Sequence, residues 1–131
     1  MTYYGRPEEE WAALGQAGWE FLVEQARLGQ LTSYSEMNTV LAQRTGVRGF
    51  DFNLDSERAA MGELLGRLSD RSLAEANVMI SALVRYRGGN DAGSGFYHLA
   101  QQKGLLRDPA SAGQKEAFWI DQMNACFAHS W

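Results

Sequence analysis

Apolar side chains recur at three- and four-residue spacing along most of the chain, which predicts a series of amphipathic helices. Trp11, Leu14, Gly18, Phe21, Leu22 and Gln25 make the first stripe. Pro7 followed by Glu8, Glu9 and Glu10 opens it well, since proline suits the first turn and acids there complement the helix dipole. Gly29 is its expected stop. Ser33 and Glu36 then stand at capping-box spacing and predict a helix through Met37, Val40 and Leu41 to Gly46. A loop with Gly49 and Phe50-Asp51-Phe52 leads to Asp55, which can cap a third helix with Met61, Leu64, Leu65 and Leu68 inside. Ser72 and Glu75 repeat the capping spacing and suggest one further turn.

The period changes once. Val78, Ile80, Ala82, Val84 and Tyr86 alternate with Met79, Ser81, Leu83 and Arg85, the pattern of a buried strand. A strand needs a backbone partner, and the segments near Leu31–Tyr34 and Phe50–Phe52 are the candidates. The glycine-rich run Gly88–Gly95 leads into a helix from Phe96 to Lys103, closed by Gly104. Residues 107–111 read as a turn, and a last helix from about Gln114 to Ala128 carries Trp119, Met123 and Cys126 on one face. The expected class is α+β and mostly helical. Its winged-helix-like middle (31–87) has a short sheet and is braced by an N-terminal helix (1–30) and two C-terminal helices (88–131). Those 131 residues suit a single domain.

Composition refines this picture. A hydrophobic fraction of 45% with 11% aromatics supplies a substantial core. No apolar run approaches the ~20 residues that span a bilayer, and the acidic start lacks the form of a secretory signal, so no membrane partner is expected. With one cysteine, Cys126, the expected compartment is the cytoplasm.

The net charge of −4 disfavours indiscriminate coating of nucleic acid, but it is unevenly spread. Residues 1–43 hold two basic and six acidic side chains, whereas residues 44–87 hold seven arginines against six acids. Ten of the 12 basic residues are arginine, which suits forked bonding to carboxylate or phosphate.

Candidate chemistry is sparse. Cys126 and His129 share a helical face, but a structural zinc site takes about four such ligands, so no metal or cofactor is expected. Asp91, Ser94 and His98 could be drawn as a triad, yet they are local in sequence and no nucleophile elbow is present, so no catalytic residue is assigned. Gly93, Ser94 and Gly95 approach a helix start, where free backbone N–H groups can hold an anion; the simpler reading is a flexible connection.

Leu31-Thr32-Ser33-Tyr34-Ser35-Glu36-Met37, with the elements after it to residue 86, resembles the winged-helix DNA-binding unit of alkyltransferase-like proteins. In that family a threonine–x–tyrosine–x–glutamate thread opens the first helix, and the alkyl-accepting form carries Pro-Cys-His-Arg near its strand. The corresponding stretch here, Met79-Ile80-Ser81-Ala82-Leu83-Val84, has no cysteine, so the resemblance implies DNA binding without alkyl transfer. The second half, with Gly95-Phe96-Tyr97-His98-Leu99-Ala100 and Ala117-Phe118-Trp119, is similar to small bacterial proteins of unassigned role.

Three functions follow in order. The first is a non-enzymatic binding module contacting nucleic-acid backbone through Tyr34, Ser35, Arg44, Arg48, Arg85 and Arg87. It requires the acidic first helix to lie away from these arginines. The second is a protein-interaction or regulatory subunit that meets a partner or another copy of itself. The third is a small hydrolase or nuclease.

Overall fold

A computed structural model describes residues 2–85 and 93–131. Among the described residues the protein is α+β and mostly helical, at 69%. A two-stranded hairpin, β1 (Thr2–Tyr3) and β2 (Arg6–Pro7), leads directly into α1 (Glu8–Leu28). Then come β3 (Thr32–Ser33), α2 (Tyr34–Thr45) and α3 (Asp55–Ala76). A 3₁₀ turn (Ile80–Leu83) and β4 (Val84–Arg85) follow, and α4 (Ser94–Gln102) and α5 (Ala112–Ala128) close the order.

Local signals set most helix ends where the sequence puts them. Gly29 and Gly46 end α1 and α2 at positive φ, the left-handed geometry that glycine adopts without a Cβ penalty. Ser33 Oγ accepts the Glu36 N–H at 3.1 Å and caps α2, while the Glu36 carboxylate takes the Thr32 hydroxyl instead of closing the box. Ser111 and Gln114 make a complete capping box for α5.

Helix α1 packs against α2, α3 and α5. Close approach depends on Gly18, where a Cβ would stand 3.0 Å from Leu68 Cδ1 and 3.4 Å from Met37 Cε. Leu14, Leu22, Met37, Leu41 and Leu64 are fully buried in the resulting core, as the helical stripes predict, and Leu83 joins them from the 3₁₀ turn. Met79, Ala82, Phe96, Tyr97 and Trp119 form a smaller adjoining cluster under α4 and α5.

Three sequence expectations need correction. Asp55 does not cap α3 but is its first residue, after Leu54, which offers no side-chain cap. Ser72 does not start a new turn, because α3 continues unbroken to Ala76. Nor is Val78–Tyr86 a strand throughout: residues 80–83 form the 3₁₀ turn, and only Val84–Arg85 pair, in parallel, with Thr32–Ser33. Tyr86 lies outside the described residues. The reason is burial on every side. Residues 78–84 are all buried, and the 3₁₀ turn sits against α1, α3 and α5, leaving no room for a flanking strand.

The backbone of this segment is therefore satisfied by side chains. Ser72 Oγ donates to the Val78 carbonyl at 2.6 Å and accepts the Ile80 N–H at 2.9 Å. Ser69 Oγ accepts the Ser81 N–H at 3.2 Å, and Gln122 Oε1 accepts the Met79 N–H at 2.9 Å. Trp119 Nε1 donates to the Ala82 carbonyl at 2.8 Å.

Candidate functional site

The residues predicted to contact nucleic acid fall at two ends of α2. At its start, the β3–β4 register sets Arg85 beside Ser33, next to half-buried Tyr34 and exposed Ser35. At its end, Arg44 lies about 15 Å along the axis by the 1.5 Å rise per residue. Arg87 lies outside the described residues, as does residues 88–92 of the glycine-rich run.

The far-end arginines are held by acids. Arg44 makes a forked pair with Glu24 of α1, at 2.6 and 2.9 Å, and its guanidinium lies 5.5 Å from the Phe21 ring centre. That hydrogen bond holds the Glu24 carboxyl below its ordinary pKa and raises that of Arg44. Helix α1 thus borders Arg44 rather than lying away from it. Arg48 Nη1 donates to Glu57 Oε1 at 2.7 Å.

Glu57 belongs to a cluster the sequence reading missed. Arg6, on β2, has 0% exposure. It donates to the Arg48 carbonyl at 2.8 Å, the Gly49 carbonyl at 3.1 Å and Glu57 Oε1 at 3.2 Å. Its guanidinium lies 4.2 Å from the Phe50 ring centre. Desolvation lowers the Arg6 pKa and Arg48 adds to this, against the opposing pull of Glu57. The cluster ties the N-terminal hairpin and the loop after α2 to the start of α3. It serves cohesion, since Arg6 offers no accessible surface. A lone Arg before Pro7 carries no local signal of this role.

The near end of α2 opens on a groove between α3 and α4, with a volume of about 280 Å³. Leu65, Phe96 and Leu99 supply its apolar walls. Gly62 and Gly66, one helical turn apart on α3, and Gly95 on α4 also line it, and a Cβ built on any of them meets nothing within 4 Å. Polar groups enter from four elements: Tyr34 from α2, Glu63 from α3, Ser81 from the 3₁₀ turn, and His98 with Gln102 from α4. Two predicted residues from separate groups, Tyr34 and Gly95, therefore share one site. Gly93 is buried as the α4 N-cap and Ser94 is exposed.

Ser81 is committed to the core, where its Oγ accepts from Ser69 Oγ at 2.6 Å. His98 is exposed on the same α4 helix, and Asp91 lies outside the described residues. Cys126 and His129 are engaged apart. The thiol donates to the Met79 carbonyl at 3.5 Å and burial pushes its pKa up to about 12, while the His129 ring lies 4.5 Å from that of Trp131. Among the described residues no group of three or more His, Cys, Asp or Glu could hold a metal ion, and no helix is long and apolar enough to cross a membrane.

No family model, curated protein or solved structure matches the chain. The winged-helix likeness of residues 31–86 therefore rests on the motif at 31–37 alone, since α3 is one continuous helix and residues 80–83 are a 3₁₀ turn.

Proposed function

We propose that the protein is a non-enzymatic binding module that receives a segment of a partner protein in the groove between α3 and α4. The observation that carries this reading is the pair Gly62 and Gly66. Each mid-helix glycine costs about 1 kcal/mol relative to alanine, and neither is required by packing, since a Cβ at either meets open space. Both leave the surface of α3 bare where the groove runs. Apolar walls with a few convergent polar groups are the usual make-up of a binding cleft. Such clefts for small molecules run about 300–1,000 Å³. The groove's 280 Å³ lies near the lower end of that range, enough to take an anchoring side chain.

Contact with nucleic-acid backbone, the leading expectation from sequence, has less support from this geometry. A polyanion would have to displace Glu24 from Arg44 and Glu57 from Arg48, and Glu24 brings the acidic helix α1 alongside.

Gly66→Trp tests the proposal, because it fills the groove from a position with space for a side chain. Partner proteins cross-linked in a lysate of the source cells by the wild type should be lost with this variant, at unchanged circular dichroism. Equal recovery by both proteins would refute the groove. Salt-sensitive binding to short DNA that survives Gly66→Trp but is lost on Arg85→Ala would favour the nucleic-acid reading instead.

A further inference from the structure

The charge of the groove lining narrows what the partner presents. Among the described residues that line it, Glu63 is the one acid, and no lysine or arginine is present. The rest are apolar, glycine or neutral polar groups. Glu63 is half-buried, its side chain 35% exposed, so its field is less screened than that of a fully exposed carboxylate. Its bond from Arg67 Nε, at 3.0 Å, uses Oε1, and a carboxylate has about four acceptor positions. The chain as a whole carries −4 and would slow the approach of an acidic ligand.

Resting on the groove reading above, we infer that the occupant is a segment of a partner protein carrying an apolar anchor beside a lysine or arginine, and that Glu63 selects for that cation. The anchor fills the space over Gly62 and Gly66 between Leu65 and Phe96, where burial of apolar surface supplies the affinity. The neighbouring cation reaches the Glu63 carboxylate at the groove edge, where an ion pair adds selectivity more than strength. Glu63 is thus a specificity-determining residue, and its partner is the opposite in charge of the polyanion suggested by the central arginines.

Selection from a displayed library of random 12-residue peptides against the intact protein tests this directly. The enriched peptides should pair a large apolar residue with Lys or Arg, and Gly66→Trp should abolish their binding. Glu63→Gln should weaken them about three- to tenfold while leaving matched peptides that carry Gln in place of the cation unaffected. Groove-dependent peptides without a basic preference, or with an acidic one, would overturn the inference and leave the groove standing. Failure to enrich any peptide sensitive to Gly66→Trp would overturn both. Glu63→Ala, read beside Glu63→Gln, guards against a fold effect, because loss of selectivity must appear in both variants at unchanged melting temperature.

Discussion

Arg6 and Glu57 meet at 3.2 Å inside the protein, 51 residues apart in the chain, and Glu57 Oε1 also receives Arg48 at 2.7 Å. One carboxylate oxygen therefore joins the N-terminal hairpin, the loop after α2 and the first turn of α3. Removing one member of a buried pair strands the other charge, a loss of about 3–5 kcal/mol. Glu57→Ala should cost that much in urea unfolding, and Arg48→Ala much less, because the Arg48 side chain is 52% exposed. Equal costs for the two variants would mean that Arg6 does not depend on Glu57.

Ser72 gives the second prediction. Its hydroxyl serves both the Val78 carbonyl and the Ile80 N–H, and all three residues are buried. Ser72→Ala leaves two polar backbone groups without that partner and should destabilise the fold by roughly 2–4 kcal/mol. The Ile80 amide should lose hydrogen-exchange protection before the α1 amides do. Uniform loss across the chain would show that residues 78–83 do not open independently.

Gly62 and Gly66 should respond in the opposite sense. Alanine at either has space for its Cβ and a better helix propensity, so each change should add about 1 kcal/mol of stability. Differential scanning calorimetry of the single and double variants would check this. A fall in melting temperature would mean that these glycines meet a packing demand and are not kept for an open groove.

Cys126 makes the stability pH-dependent at the alkaline end. Burial raises its pKa from 9.0 to about 12 in the folded state, so the native protein holds the thiol proton more tightly than the unfolded chain. That contribution is fully present below pH 9 and is lost as pH rises from about 9 towards 12. Cys126→Ala should flatten the fall in stability over that window. In the wild type at pH 8, alkylation by iodoacetamide should proceed only as fast as the protein opens.

The helices were legible because the forces that define them are local. Spacing of apolar residues, Ser33 before Glu36, and glycine at 29 and 46 act within a few residues of each other, and α1, α2 and α5 formed close to where those signals place them. Membership of Leu64 in the core followed from the same spacing, whereas Leu83 was expected on a strand and is buried in a 3₁₀ turn instead. Ser72 shows where a local signal misleads. Its spacing to Glu75 matches a cap, but inside α3 the hydroxyl found stronger use on the buried backbone of residues 78–80.

By itself, then, the sequence determined which segments coil, where most of them end and which faces turn inward, since these depend on contacts within one or two turns. The tertiary structure decided the rest, through partners far apart in the chain. Residues 78–83 avoid a sheet because Ser69, Ser72, Trp119 and Gln122 satisfy their backbone from two helices. Arg44 and Arg48 are engaged because Glu24 and Glu57 reach them across the fold. The groove exists because α4 comes to lie beside the bare stretch of α3 at Gly62 and Gly66, a juxtaposition no local pattern of residues encodes.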